Sequence, residues 1–393
     1  MKNNAINKIK VVGAQLGEIP EKYFNGVTAE DAFLKYEKDD YLDYLNNIDI
    51  ESIKKFNIRR IVSLTKKAIK HNADIIVFPE LSLTGFFPYL YINDTDILKR
   101  FFETDNSLKR IIKVLSKLSN QGSIAISFGF AEYNEKLEIY YNTSIYISPD
   151  GNTQFYRKTH IPGFEKPEET NKLFQFEKNI FKPSDEGYPV FKTKIKDNDV
   201  NLGMIICHDR RYNAPFLSMG LKNVNIIING YNTPFNLSFA DKLDDYVYKF
   251  HYLPLQSQAV SEGTFIISVS RAGNSYGIKQ IAGTCIISPY GEILAKSEKL
   301  TEELVEAEVD LNMCYEVKAQ KYWGTRSRPE ALIKDFVVNG IATDSMLESL
   351  YEKLGYENLI SYIENKHQNE SEYKESWQAE SNGIFNLFSN IIY

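Results

Sequence analysis

Short apolar runs rich in β-branched residues recur along this chain and alternate with polar stretches of helical period. That order buries sheets inside and lays helices outside. Residues 8–16 read as a first strand, 53–70 as a helix and 73–79 as a second strand. A helix over 108–118 precedes strands at 123–133 and 139–148, and the turn Ser148-Pro149-Asp150-Gly151 joins the latter to 153–158 as a hairpin. Strands at 200–207, 224–229, 264–270 and 281–288 then alternate with helices at 214–221 and 244–261. The turn Pro289-Tyr290-Gly291-Glu292 is expected to lead into a final hairpin ending near Asp310. Mixed strand and helix order with several hairpins predicts a layered α/β sandwich.

With 393 residues and 43% hydrophobic content, the chain can fill a large core. A net charge of -6, with lysines dispersed, gives no field for a phosphate backbone, so nucleic acid is not an expected partner. Three cysteines cannot all pair with one another, and their spacing matches no zinc motif. A reducing compartment and no metal or other cofactor are expected. The first ten residues lack the apolar core of a signal peptide, and no later apolar run approaches the ~20 residues that span a bilayer, so the expectation is a cytoplasmic protein without a membrane partner.

Two segments sit outside this scheme. Residues 18–49 are acidic and tyrosine-rich with no clear element, and read as a solvated surface insertion or, less in keeping with the pattern, a lid. Beyond about residue 335 an amphipathic helix (344–366) and a polar run lead to an apolar tail carrying Phe385, Leu387, Phe388, Ile391 and Ile392. Exposing that tail would be costly, so it is expected to dock on a neighbouring subunit or on its own domain. The expected division is 1–335 as one domain and 336–393 as a helical extension.

Three strand ends carry reactive groups. "GMIICHDRRY" delivers Cys207 to the end of an apolar run, "VFPELSLTGFFP" ends another strand with Glu80, and "YRKTHIPG" places Lys158 at the end of a third. A thiol with an ordinary pKa near ~8.5 needs a base or cation to become nucleophilic. His208 is poorly placed to be that base, because adjacent residues leaving a strand point to opposite faces. Glu80 is a candidate base and Lys158 a candidate oxyanion stabiliser. Singly, each reads as well as a solvated strand-end charge.

In this order the three blocks resemble the nitrilase superfamily, and the similarity runs from about Lys8 to Leu332. The resemblance implies a four-layer αββα sandwich and a triad of Glu80, Lys158 and Cys207. "YNTSIYI", "CHDRRY", "MGLKNVNIIINGYNTP" and "GTCIISPYGEI" look like the N-carbamoyl-D-amino acid hydrolase branch. By that likeness Glu177 helps position the lysine and substrate, His160 matches a pocket histidine, and Arg210 and Arg211 with Asn232 and Thr233 recognise a substrate carboxylate. Guanidinium groups suit that task on chemical grounds too.

The chain departs from the branch where His208 follows the nucleophile in place of asparagine, where Gln175 replaces a histidine, and where Tyr212 replaces a tryptophan. His208 would lie beside the substrate. The implied reaction is hydrolysis of a carbon–nitrogen bond through a cysteine thioester on a small carboxylate-bearing substrate, by a homodimer or homotetramer. An amidase or nitrilase using the same triad is the alternative, and an inactive scaffold a third. Cys285 and Cys314 read as structural thiols, and His71 and His251 as surface or helix-face residues.

Overall fold

The computed structural model describes residues 7–169, 175–235 and 246–319. The C-terminal extension and its apolar tail lie outside the described residues. Two six-stranded sheets dominate. The first runs, edge to edge, Glu303–Asp310, Lys8–Gln15, Ile75–Val77, Ala125–Asn134, Ile139–Ile147 and Thr153–Arg157. The second runs Val190–Ile195, Asn198–Ile206, Ile226–Tyr231, Phe265–Ser270, Cys285–Ile287 and Ile293–Lys296. Both repeat one order of pairings: antiparallel, parallel, parallel, antiparallel, antiparallel.

The central strands are near-continuous apolar runs because each sheet is covered on both faces. Helices Ile50–Lys70 and Asp105–Gly122 place Ile61, Leu64, Leu108, Ile111 and Leu115 against Ile76, Phe78, Ile126 and Phe128 of the first sheet. The apolar residues of these helices recur at the three- and four-residue spacing that forms one buried stripe. Helix Val247–Glu262 covers strands Phe265–Ser270 and Cys285–Ile287 of the second sheet. Between the helical layers the sheets face each other, strand Lys8–Gln15 packing on Phe265–Ser270. The result is the αββα sandwich. Among the described residues no helix is long and apolar enough to cross a membrane.

Several expectations are corrected. The strand expected over 281–288 is broken at Ala282 and Gly283, which have φ of 58° and 86°. Ile281 instead ends the strand Ile278–Ile281, which pairs with Ala272–Ser275 in a separate hairpin, and only Cys285–Ile287 joins the second sheet. Nor do the last two strands form a hairpin: Ile293–Lys296 turns back on Cys285–Ile287, while Glu303–Asp310 crosses to pair with Lys8–Gln15. That crossing ties the two sheets together.

Residues 18–49 are not a solvated insertion. They form a 3-10 turn and helices Ala29–Lys35 and Tyr41–Asn46, and they bury Ile19, Phe24, Val27, Tyr41, Leu45 and Ile48 in one cluster with Phe86, Phe87 and Tyr89. Thr28 caps the first helix by accepting from the Asp31 N–H, and the Tyr41 hydroxyl donates to the Tyr91 carbonyl. Tyrosines here bury their rings while their hydroxyls find acceptors, so a tyrosine-rich acidic segment can be core. Leu45→Ala is therefore expected to cost about 2–5 kcal/mol in denaturant titration, where a solvated insertion would give within about 0.5 kcal/mol of zero.

Candidate active site

Glu80 follows the middle parallel strand of the first sheet, Lys158 directly follows Thr153–Arg157, and Cys207 directly follows Asn198–Ile206. Groups at the carboxyl ends of parallel strands converge on one crevice. The Glu80 turn is squeezed between the sheets. A Cβ added at Gly129 would lie 2.7 Å from the Glu80 Cα, and one at Gly230 would lie 2.7 Å from the Glu80 nitrogen. Gly230→Ala is accordingly expected to displace the turn, costing about 1–3 kcal/mol of stability together with a loss of turnover. Unchanged melting and activity would contradict this packing. Leu81 and Cys207, both at φ 47°, adopt the left-handed conformation that non-glycine residues rarely take. Both sharp turns aim a reactive side chain out of a strand.

The side chains meet in a buried network. The Lys158 ammonium donates to Glu80 Oε1 at 2.8 Å and to Glu177 Oε2 at 2.5 Å, all three side chains being wholly buried. Glu80 Oε1 also accepts from Asn142 Nδ2 at 2.8 Å, and its Oε2 from the Asn232 N–H at 3.1 Å and Asn232 Nδ2 at 3.2 Å. The Cys207 thiol donates to the Asn232 carbonyl at 3.3 Å. Asn232 thus bridges the Cys207 thiol and the Glu80 carboxylate. Gln175 donates to Glu177 Oε1 at 3.2 Å.

The two arginines part company. Cys207–Arg211 is a 3-10 turn, with three residues per turn, so residue i+3 stands over residue i and i+4 is rotated away. Arg210 Nη1 donates to the Cys207 carbonyl at 2.6 Å and lies 3.5 Å from Cys207 Sγ, while Nη2 donates to Thr233 Oγ1 at 2.8 Å. Its guanidinium stacks 4.4 Å from the Tyr231 ring centroid. Arg211 is exposed and donates to the Phe250 carbonyl. His208 contacts the Tyr212 hydroxyl through Nε2 at 3.2 Å, and the His160 ring stacks on Tyr212 at 3.9 Å while its Nδ1 lies 2.9 Å from Asp209 Oδ1.

Charge and burial set the protonation states. Burial pushes the Cys207 thiol up to about 11, with Glu80 adding to the rise and Lys158 and Arg210 opposing it, so the resting thiol is protonated near neutrality. Burial pushes Glu177 up to about 7 against the pull of Lys158. Burial alone would depress the Lys158 ammonium, but Glu177 and Glu80 more than offset it and hold its pKa above the ordinary lysine range. Burial, then Lys158 and Arg210, drive His208 down to about 3, leaving a neutral ring.

Asn142, Asn229 and Tyr89 were not singled out in the sequence. Asn142 stands in "YNTSIYI", a stretch whose only visible signal was its likeness to the hydrolase branch. Asn229 accepts the Cys207 N–H through Oδ1 at 3.0 Å, so that main-chain donor is already engaged. Buried Tyr89, paired with Gln280 at 2.9 Å, faces the same centre. Of the two expectations for His251 the helix face holds and the surface does not: on helix Val247–Glu262 it is fully buried, with Nε2 2.9 Å from the Tyr231 hydroxyl and 3.0 Å from the Gly283 carbonyl. His71 is at the surface beside Glu306, and Cys285 and Cys314 are free and buried.

A buried thiol, an ammonium and a carboxylate at converging strand ends of an α/β sandwich, with a second carboxylate from the helix Glu177–Ile180, form a centre suited to acyl transfer through a covalent intermediate. The model of the carbon-nitrogen hydrolase family matches residues 50–319, and the chain belongs to that family. It is 26% identical to a nitrilase of Pyrococcus abyssi over 65% of this chain and 84% of that protein. With the N-carbamoylputrescine amidase of Arabidopsis thaliana it shares 28% identity over 71% of this chain and 89% of the relative. With a Pseudomonas (R)-stereoselective amidase it shares 24% over 61% and 74%.

Among solved structures, the carbon-nitrogen hydrolase of Helicobacter pylori G27 superposes with a TM-score of 0.66 at 20% identity, covering 85% of this chain and 99% of that one. An amidase from Nesterenkonia sp. AN1, carrying an acetamide moiety covalently added at its active-site cysteine, gives 0.58 at 13% over 84% and 98%. These likenesses are of fold. The nitrilase-superfamily assignment made from the motifs is established by the family model's match to residues 50–319.

Proposed function

We propose that this chain hydrolyses the carbon–nitrogen bond of a small, linear, carboxylate-bearing amide, with N-carbamoyl-D-amino acids as its substrates. The observation that carries the reading is the Asn232 bridge, whose carbonyl takes the thiol of Cys207 and whose N–H meets the carboxylate of Glu80, so that one residue's backbone holds both groups. Glu80 takes the thiol proton as Sγ attacks the carbonyl carbon. An ammonium has three donors, and two of those on Lys158 are held by carboxylates, so the third serves the oxyanion together with the His208 N–H. Glu80 passes the proton to the departing nitrogen, leaving a thioester, and then activates the water that cleaves it. From a carbamoyl amino acid the products are the amino acid, ammonia and carbon dioxide.

Recognition of the carboxylate is assigned to Arg210 with Thr233 and Asn232. Among the described residues Arg210 Nε and Asn232 Oδ1 are buried without a partner, a donor and an acceptor that a bound substrate would satisfy. His160 and His208 line the same pocket in this reading. A second reading, an uncharged amide or nitrile, is favoured by Arg211, whose hold on the Phe250 carbonyl leaves the two-arginine fork unassembled. Turnover of N-carbamoyl amino acids is compared with that of simple amides and nitriles, and racemic carbamoyl substrates are resolved by chiral analysis. Faster turnover of carboxylate-bearing D-substrates is expected; equal turnover without a carboxylate would overturn the first reading in favour of the second.

Arg210→Gln is expected to raise KM for a carboxylate substrate by at least about tenfold, the order of one charge-assisted hydrogen bond, and to lower kcat as well because the side chain touches Cys207. Arg211→Gln is expected to change KM much less. Equal effects of the two substitutions would contradict the assignment.

A further inference from the structure

Asp209 lies two residues beyond the nucleophile, fully buried, and has no part in the reaction steps above. Its carboxylate accepts from four donors. Oδ2 takes the Ile206 N–H at 2.9 Å and the Tyr156 hydroxyl at 2.7 Å. Oδ1 takes the His160 N–H at 2.9 Å and faces His160 Nδ1 at 2.9 Å. Ile206 immediately precedes Cys207, while Tyr156 and His160 stand two residues before and two residues after Lys158. One side chain therefore grips the backbone of the nucleophile turn and both flanks of the lysine.

We propose that Asp209 is a positioning residue that fixes the strand end bearing Lys158 against the turn bearing Cys207, and so sets the approach of ammonium to thiol. The opposite side of that strand end is held independently, since the Lys158 N–H donates to the Asn142 carbonyl at 2.8 Å and the Lys158 carbonyl accepts the Ser184 N–H at 3.0 Å. Asp209 supplies the tie that runs to Cys207. Its grip on Nδ1 also gives His160 the tautomer protonated at that nitrogen, leaving Nε2 an acceptor.

A carboxylate is required here because two of the four donors are main-chain N–H groups, which cannot reverse. An asparagine has one oxygen, so whichever way it lies its NH₂ confronts the N–H of Ile206 or of His160. The two strand ends would then be free to separate.

The inference rests on Lys158 and Cys207 sharing one centre, and its test includes a reading that needs no substrate. In the full chain, Asp209→Asn is expected to lower kcat per folded chain by at least about 100-fold, the cost of a misplacement of about 1 Å, with KM changed less than about threefold. Alkylation of Cys207 by iodoacetamide, followed by mass analysis of its peptide, is expected to slow at least tenfold, by the same loss of alignment (~1.4 kcal/mol). A purely structural role would lower the melting temperature yet leave both rates per folded chain unchanged, and that result would overturn the proposal.

Tyr156→Phe removes a single donor and keeps the ring. It is expected to slow kcat and alkylation together by about 3–10-fold with little change in melting, the order of one hydrogen bond. It decides the matter if Asp209→Asn does not fold: wild-type rates in Tyr156→Phe would overturn the proposal. If the wild type cleaves no amide, the proposed function fails, and alkylation alone then tests Asp209.

Discussion

Cys207→Ala is expected to lower turnover of any cleaved amide by at least about 10³-fold while the melting temperature stays near that of the wild type. The expectation combines two features of the site. In the proposed scheme the thiol forms the covalent bond, so no other group can replace it; and alanine keeps a Cβ in the same left-handed backbone at φ 47°, so the turn is neither relieved nor further strained. The buried hydrogen bond lost is a weak one, from sulfur to the Asn232 carbonyl. Steady-state assays beside a thermal melt check both halves. Full activity in the folded variant would end the covalent scheme.

Lys158→Met is expected to abolish turnover and to destabilise the fold by about 3–5 kcal/mol, because removing one partner of a buried ion pair strands the other. Here two carboxylates, Glu80 and Glu177, would be left together at 0% exposure. The loss should depend on pH in a definite sense. Glu177 is already raised to about 7 by burial, against an ordinary value of 4.5, so it binds a proton more tightly folded than unfolded. Stability from such a group is fully present below its unfolded pKa and is lost as pH rises through its folded one. Without the lysine the folded pKa moves higher still. The variant's deficit against wild type should be small near pH 5.5 and large at pH 8, read from urea midpoints. An equal deficit at both values would contradict the burial of Glu177 beside Lys158.

The alternation of β-branched runs with amphipathic helices was enough to foresee the sandwich, since each sheet is covered on both faces and its strands need no polar alternation. Glu80, Lys158 and Cys207 each stand at a strand end, but it was the likeness of their three blocks, in that order, to a known family that singled them out. Other features depended on local geometry that residue type does not reveal. Arg210 and Arg211 were indistinguishable until a three-residue turn placed one over Cys207 and swung the other away.

The donors to Asp209 come from residues 156, 160 and 206, a juxtaposition only folding creates. His251 lies on a helix whose apolar and polar residues are mixed around the circumference, so periodicity cannot name the buried face. Residues 18–49 hid their core behind charge. Their apolar side chains are spread over two short helices and a 3-10 turn, too short for a period to emerge, while their tyrosines serve the core with their rings.

The central claim is that Cys207 becomes acylated by the substrate with Glu80 and Lys158 acting on the same carbonyl. Its most direct test is mass analysis of the Cys207 peptide after acid quench, from milliseconds to the steady state, of the full chain turning over a saturating amide. A substrate-derived acyl mass on Cys207, with Cys285 and Cys314 unmodified, is the result expected. Release of the amine with Cys207 unmodified at every quench time would contradict it.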